Sequence, residues 1–278
     1  LANRDLFTWK GIPFLKGCTE IALYSMLLYE LRPKTIIEIG ALSGGSAIWL
    51  ADHLELFQIE GCVYCIDIDL SLLDEKAKTD SRVHFLEGDC NNMGAIMSSE
   101  LLSGLAHPWL IVEDAHANAV GVVEYFHENG LKSGDYLIVE DTNKTMWELD
   151  REELDRDDLD EQELIEKGEQ KLAELKSWLM LHENEYLIDT YYQDMYGYNG
   201  SRNWNSILKR VEKIIFSHCL LTCTFSNSYS IKVLAVPQKV LVFHGLVAIA
   251  HCQIGPRWEA QILHLPKNEL VKGGNRER

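Results

Sequence analysis

Two short stretches put paired acids at the ends of apolar runs. Trp109-Leu110-Ile111-Val112 leads into Glu113-Asp114-Ala115-His116, and Tyr136-Leu137-Ile138-Val139 leads into Glu140-Asp141. Brought side by side, Glu140, Asp141 and either Asp114 or Glu113 would crowd at least three carboxylates together. Like charges that close raise one another's pKa, and a divalent cation relieves the conflict. Oxygen-only ligands suit magnesium, manganese or calcium rather than zinc. Such an ion would hold a substrate hydroxyl and lower its pKa. His116 stands close enough in sequence to serve as general base, with an unperturbed pKa near neutrality. The plain alternatives are that one acid caps the following helix, that the others are solvated, and that the histidine only packs. A lysine or arginine filling the gap between the carboxylates would overturn the ion. His53, His84, His107 and His127 lack such acidic company and read as structural.

The element that must position these acids starts at Thr35-Ile36-Ile37-Glu38-Ile39. Its length and β-branched content predict a buried parallel strand. Gly40, Gly44 and Gly45 then allow a tight turn and a close ligand approach, and Ser46 onward predicts a helix to about Phe57. Strand, glycine turn and helix make the first half of a nucleotide-binding unit whose helix start faces the ligand. The spacing is not Gly-x-Gly-x-x-Gly. Glu38-x-Gly40-x-x-x-Gly44 is the acid-and-glycine pattern associated with S-adenosylmethionine (SAM), the acid reaching the methionine end directly or through water. An ordinary turn between strand and helix is the bland reading.

Further strands end in acids as well. Gly61 to Leu70 closes on Asp67-Ile68-Asp69, and an acid at the end of the second strand accepts hydrogen bonds from ribose hydroxyls. Asp67 has about the expected spacing from Gly40, and Asp69 reads as a helix cap. Val83 to Glu87 runs into Gly88-Asp89-Cys90, the position beside an adenine in the methyltransferase layout; Asp89 and Cys90 are candidates there, or a simple cap. Strands alternating with helices predict an α/β fold with a doubly wound, mostly parallel sheet and helices on both faces. Ligands of such sheets bind at the carboxyl ends of the strands. A helix is expected over Cys18 to Leu31, ended by Pro33, with others near Asn118 to Gly130 and Gln162 to His182. Further strands are expected at Glu185 to Tyr192 and Asn205 to Val211.

The 278 residues suit one large domain or a domain plus an extension. The partition read here is a lead-in and helix over 1–34, a main domain over 35–212 with an acidic insert at 148–166, and an extension over 213–278. The insert reads as solvated and lacks the glycine and alternating ligands of a calcium loop. A net charge of −17 disfavours nucleic acid and anionic membranes. No apolar run reaches the ~18 residues of a membrane span. Seven scattered cysteines point to reduced thiols and a cytoplasmic setting. Cys62-x-x-Cys65, read as lying in a strand with both thiols to nearly the same side, has no second pair and reads as buried thiols. An acidic chain with an apolar tail allows self-association into a homo-oligomer.

As a set, these residues resemble the cephalosporin hydroxylase / rhamnosyl O-methyltransferase family over about residues 8–212. The matching stretches are Trp9 to Pro13, Arg32-Pro33, Ile37 to Gly40 with Gly44 to Ala47, Asp67 to Asp69, Gly88-Asp89, Glu113 to Asn118, Gly134 to Tyr136, Val139 to Asp141, Tyr196 to Asn199 and Leu208 to Arg210. Glu38 to Ala47 is also similar to the loop of catechol-type O-methyltransferases. The resemblance implies a Rossmann-like class I methyltransferase fold. It implies SAM around Glu38, Gly40, Ser46, Asp67 and Asp89, and magnesium or another divalent ion on Asp114, Glu140 and Asp141. Alignment on His116 would put Glu113 in place of Asp114. The expected activity is methylation of a hydroxyl on a small sugar- or natural-product-type acceptor. The competing functions are oxygenation, as in the hydroxylase branch, and a non-catalytic binding protein on a SAM fold. The iron triad of the former needs two histidines, and only His116 lies near the acids. The insert is longer than the family pattern leads one to expect, and the tail after 213 matches nothing in it.

Overall fold

The computed structural model describes residues 7–115, 117–143, 161–193 and 203–212, together with five strands after residue 219. The chain divides into two compact units, residues 1–214 and 215–278. In the first, the strands are β1 (Thr8–Trp9), β2 (Ile12–Pro13), β3 (Thr35–Ile39), β4 (Cys62–Asp67), β5 (Val83–Glu87), β6 (Trp109–Glu113), β7 (Tyr136–Val139), β8 (Tyr186–Ile188) and β9 (Ile207–Arg210). The helices are α1 (Cys18–Leu31), α2 (Gly45–Leu56), α3 (Glu75–Lys78), α4 (Met93–Ile96), α5 (Ser99–Ser103), α6 (Ala119–Asn129), α7 (Glu161–Leu181) and α8 (Thr190–Gln193).

Seven strands form one sheet in the order β5-β4-β3-β6-β7-β9-β8. The neighbours from β5 through β7 run parallel, and β9 pairs antiparallel with both β7 and β8. The chain winds outward from β3 to β5, then restarts at β6 on the other side of β3. That reversal is the switch point, where the connections leave on opposite faces and open a crevice. This is a Rossmann-like doubly wound sheet.

Both faces are covered, so the central strands are apolar at nearly every position rather than alternating. Ile36, Cys65, Val112 and Ile138 belong to one core, shared with Leu27 of α1 and with Trp49 and Leu50 of α2. Ile37, Ile66, Ile111 and Leu137 belong to the other, shared with Val122 and Phe126 of α6 and with Leu175 of α7. Successive residues of a strand thus enter different cores. The same parity corrects the reading of the cysteine pair. Residues three apart in a strand face opposite ways: Cys65 is buried and Cys62 half-buried.

The lead-in is a strap. β1 and β2 form a small hairpin whose two central residues, Lys10 and Gly11, both have positive φ, the twist a two-residue hairpin loop prefers. Trp9 donates its indole N–H to Asp52 at 2.7 Å, and Phe14 is buried against Trp49. The Ser43 hydroxyl donates to the Pro13 carbonyl at 2.7 Å, which ties the strap to the glycine loop.

Strand Glu185 to Tyr192 is shorter than expected. It ends at Ile188, because Asp189 accepts the Tyr191 N–H and opens α8. The acidic run lies outside the described residues up to 160, and its remainder begins α7. The second unit holds a strand pair, Leu220–Thr224 with Ser230–Leu234, and a three-stranded antiparallel sheet of Leu241–Phe243, Leu246–Ala250 and Ala260–His264. Among the described residues no helix is long and apolar enough to cross a membrane.

A Cβ on Gly45 would lie 2.1 Å from the Pro13 carbonyl oxygen, a backbone atom. Gly45→Ala is therefore expected to destabilise by roughly 1–3 kcal/mol through overpacking. Urea denaturation checks it; an unchanged midpoint would mean that the strap does not lie there.

Candidate active site

The carboxyl ends of β3 to β7 open into a cavity of about 450 Å³, within the size range of small-ligand pockets. One wall is the strap, including Lys16; another is the glycine loop, with Gly40 and Ser46. Asp67, Asp89 and Cys90 line it from the β4 and β5 ends, and Asp114, Glu140 and Asp141 from the β6 and β7 ends. Glu38 and Gly44 lie behind the lining. His116 lies outside the described residues, as does Tyr196 to Asn199.

Strand parity decides which acids meet. Ile39 pairs with Glu113, and Glu113 with Val139. The ladder runs one residue further, the Asp114 N–H donating to the Ile39 carbonyl and the Glu140 N–H to that of Glu113. Glu38, Asp114 and Glu140 therefore fall on the α1–α2 side. Glu113 falls on the other, fully buried, with Lys171 of α7 2.9 Å away. Burial raises the Glu113 carboxyl above its ordinary value, and Lys171 opposes that. Of the two neighbouring acids, Asp114 lines the cavity and Glu113 faces away from it.

One cation sits among the acids. Lys16 Nζ lies 2.5 Å from Asp114 Oδ2, 2.7 Å from Glu140 Oε2 and 3.9 Å from Glu38 Oε1. Lys16 thus fills the gap between the carboxylates, the arrangement set above against a resident ion. Burial works against the Lys16 charge, yet Asp114, Glu140 and Glu38 together raise its pKa well above the usual lysine value. The compensation is incomplete. Burial, with Asp114 beside it, holds the Glu140 carboxyl well above its ordinary range despite the lysine. Glu38 is raised by burial too, although Lys16 and the Ser46 hydroxyl favour its charged form; the Cys65 thiol donates to it at 3.3 Å.

The second oxygen of Glu140 accepts the Tyr24 hydroxyl at 2.6 Å. Asn203 joins this chain of contacts, its amide N–H donating to Tyr24 at 3.2 Å while its carbonyl takes the Asp141 N–H at 3.1 Å. Asp141 stands in the left-handed region, φ 55. Asp114, Glu140 and Asp141 offer oxygen alone, the donor type of a hard divalent cation, and all three line the cavity.

Around the glycine loop, Asp67 Oδ2 accepts the Ala41 and Leu42 N–H groups at 2.7 and 3.0 Å, and Oδ1 accepts from Asp69 at 3.2 Å. A carboxylate offers about four acceptor positions, so Asp67 can brace the loop and still take a hydroxyl. Asp69 caps the turn at Leu70, accepting the Ser71 N–H. Asp89 accepts the Asn91 N–H as a cap and also faces the cavity, where the Cys90 thiol donates to the Ala117 carbonyl at 3.4 Å.

Lys16, Tyr24 and Asn203 escape motif reading. The usable signal for Lys16 is a cation three residues after Pro13 in a chain whose parallel strands β3 to β7 all carry acids at their ends. Away from the cleft, His127, His182 and Glu185 come within reach of a single ion. There the Arg210 guanidinium already pairs with Glu185 at 2.6 Å and contacts His127.

Residues 3–211 match the family model described as Rhamnosyl O-methyltransferase/CmcI. The rhamnosyl O-methyltransferases of Mycobacterium tuberculosis and Mycobacterium leprae are 29% identical over 140 residues and 30% identical over 142. Those alignments take in 49% of this chain and 57% and 60% of the relatives, so the chain spans little more than half of their length. Among solved structures, the apo form of CmcI is 27% identical with a TM-score of 0.56, and its Mg-SAM form 28% identical with the same score. Each likeness covers 76% of this chain and 82% of that one.

Replacing Lys171 by Met should strand Glu113 as a buried charge and cost about 3–5 kcal/mol at neutral pH. Glu113 would then have its pKa raised further. The stability that protonation provides is full below the ordinary carboxyl value of 4.5 and is lost as pH rises through the folded value. The deficit of the variant should accordingly shrink on acidification. Urea curves at neutral and acidic pH check it; a deficit that does not change with pH would refute the ion pair.

Proposed function

The chain belongs to the rhamnosyl O-methyltransferase/CmcI family, and from that premise we propose that it is a SAM-dependent O-methyltransferase using a divalent cation, magnesium first. The acceptor is a hydroxyl on a small sugar- or natural-product-type molecule. The fold is that of the class I methyltransferases. The observation that carries the reading is convergence: the glycine loop, Asp67 and the Asp114, Glu140 and Asp141 carboxylates line one cavity.

When bound, SAM supplies an electrophilic methyl group, and the divalent cation supplies the charge that makes a hydroxyl acidic enough to attack it. The rest falls to the chain. Asp67 would take a ribose hydroxyl with its remaining acceptor position. The loop from Gly40 to Ser46 would offer backbone to the methionine end of SAM, and Asp89 and Cys90 would serve the adenine. Glu38, buried behind the loop, acts through Lys16 and Ser46 rather than by touching the ligand. Asp114, Glu140 and Asp141 would hold the cation. Tyr24 and Asn203 hold Glu140 and Asp141 in place. His116, two residues past Asp114, takes the acceptor proton. Positioning of the two reactants provides most of the acceleration. The oxygenation alternative calls for two histidine ligands, and the sequence places only His116 near these acids. The free thiols at Cys18, Cys62, Cys65 and Cys90 suit a reducing, cytoplasmic setting.

Calorimetric titration with SAM should show binding, and Asp67→Ala should weaken it about tenfold, the loss expected for a hydrogen bond to a charged group. Asp141→Asn should lower magnesium affinity while leaving SAM binding near that of the wild type. No heat and no thermal shift at millimolar SAM would discard the proposal.

A further inference from the structure

We propose that Lys16 is a built-in counter-ion that a divalent cation must displace, the ammonium and the metal competing for the same oxygens of Asp114 and Glu140. This rests on the metal-dependent reading above.

The two cations would want one point. Lys16 Nζ lies 2.5 Å from Asp114 Oδ2 and 2.7 Å from Glu140 Oε2. A hard divalent ion takes carboxylate oxygens at roughly 2.0–2.6 Å, so it would have to stand where the ammonium stands. Charge forbids sharing, because like charges only a few ångströms apart in a poorly solvated pocket repel by several kcal/mol or more. Occupancy is therefore exclusive.

Geometry lets the lysine leave. Asp114, Glu140 and Glu38 are carried by the sheet and its immediate ends. Lys16 is carried by the strap, between buried Phe14 and the start of α1 at Cys18. Four side-chain torsions let its ammonium swing away while the strap keeps its anchors. The residue lines the same cavity as the acids, so there is space to swing into. The lysine also explains how this rim folds before any metal arrives: buried carboxylates without a cation would be costly. Lys16 supplies one, and a divalent ion, with twice the charge, replaces it. Metal affinity is thus lower than the same three acids would give alone.

Manganese is the probe, with free ion counted by electron paramagnetic resonance on the full chain. Lys16→Met is expected to bind Mn²⁺ about tenfold tighter than wild type, since apparent affinity is reduced by the fraction of molecules in a competent state. Its thermal midpoint should be lower without metal and rise further on adding it. Equal or weaker binding by the variant would overturn the competition and leave the metal reading intact. No binding by either protein would overturn both. Should Lys16→Met not fold, the wild type still decides. Acetylation of Lys16 by an N-hydroxysuccinimide ester, read by peptide mass spectrometry, should be slow without metal and accelerate at saturating Mn²⁺. A rate that manganese does not change would overturn the proposal.

Discussion

Negative charge buried at the rim of a parallel sheet is the constraint on which this molecule turns. At the switch point β3 and β6 lie side by side, and the helices that follow them depart on opposite faces. The crevice so formed admits ligands, and for the same reason it gathers the residues at the strand ends. Here those residues are acids. Glu38 is fully buried and Glu140 nearly so, and a carboxylate out of water is stable only when paired and hydrogen-bonded. Lys16, Tyr24, Ser46 and Cys65 are all spent on that task.

The acids sort by parity, and each face receives its own lysine. On the α1–α2 side, Asp114 and Glu140 meet Lys16 from the strap; on the other, Glu113 meets Lys171 from α7. Adjacent residues, Glu113 and Asp114, thus have unrelated work. One pins a helix to the sheet, and the other opens on the cavity. The elements that bring the lysines are held by apolar contacts, Phe14 on Trp49 for the strap and Leu175 in the second core for α7. Charge complementarity at the rim therefore depends on packing some distance from it.

How much of this was legible in the sequence follows from range. The central strands were readable because burial on both faces leaves an unbroken β-branched run, as at Ile36 to Ile39. The glycine loop was readable because its spacing is local. The choice between Glu113 and Asp114 was available in principle, since counting back by twos from Glu140 and Asp114 along their strands keeps both in one core with Ile138 and Val112. Residues with a role only across long separations were not readable. Lys16 meets Asp114 98 positions away, and Asn203 meets Tyr24 179 positions away. No periodicity or spacing records such contacts. Strand β8 was overextended because Tyr191 and Tyr192 suit a strand as well as they suit the short helix that Asp189 caps.

The glycine loop shows how tightly ligand space and protein packing are joined. A Cβ on Gly40 would meet the Asp114 carbonyl at 2.7 Å, one on Gly44 would meet Ala77 at 2.7 Å, and one on Gly45 would meet the Pro13 carbonyl. Each of the three presses first on protein. The loop is bare of side chains so that it can nest among β6, α3 and the strap, and that nesting turns its backbone toward the cavity. It follows that the strap is structural and functional at once. The oxygen of Pro13 that excludes a side chain at position 45 also accepts from Ser43, and three residues further along the same segment stands Lys16. Any change that lifts the strap from the loop must move the ammonium from its carboxylates. The charge state of the acid cluster is tied in this way to the conformation of the loop that would hold the cofactor.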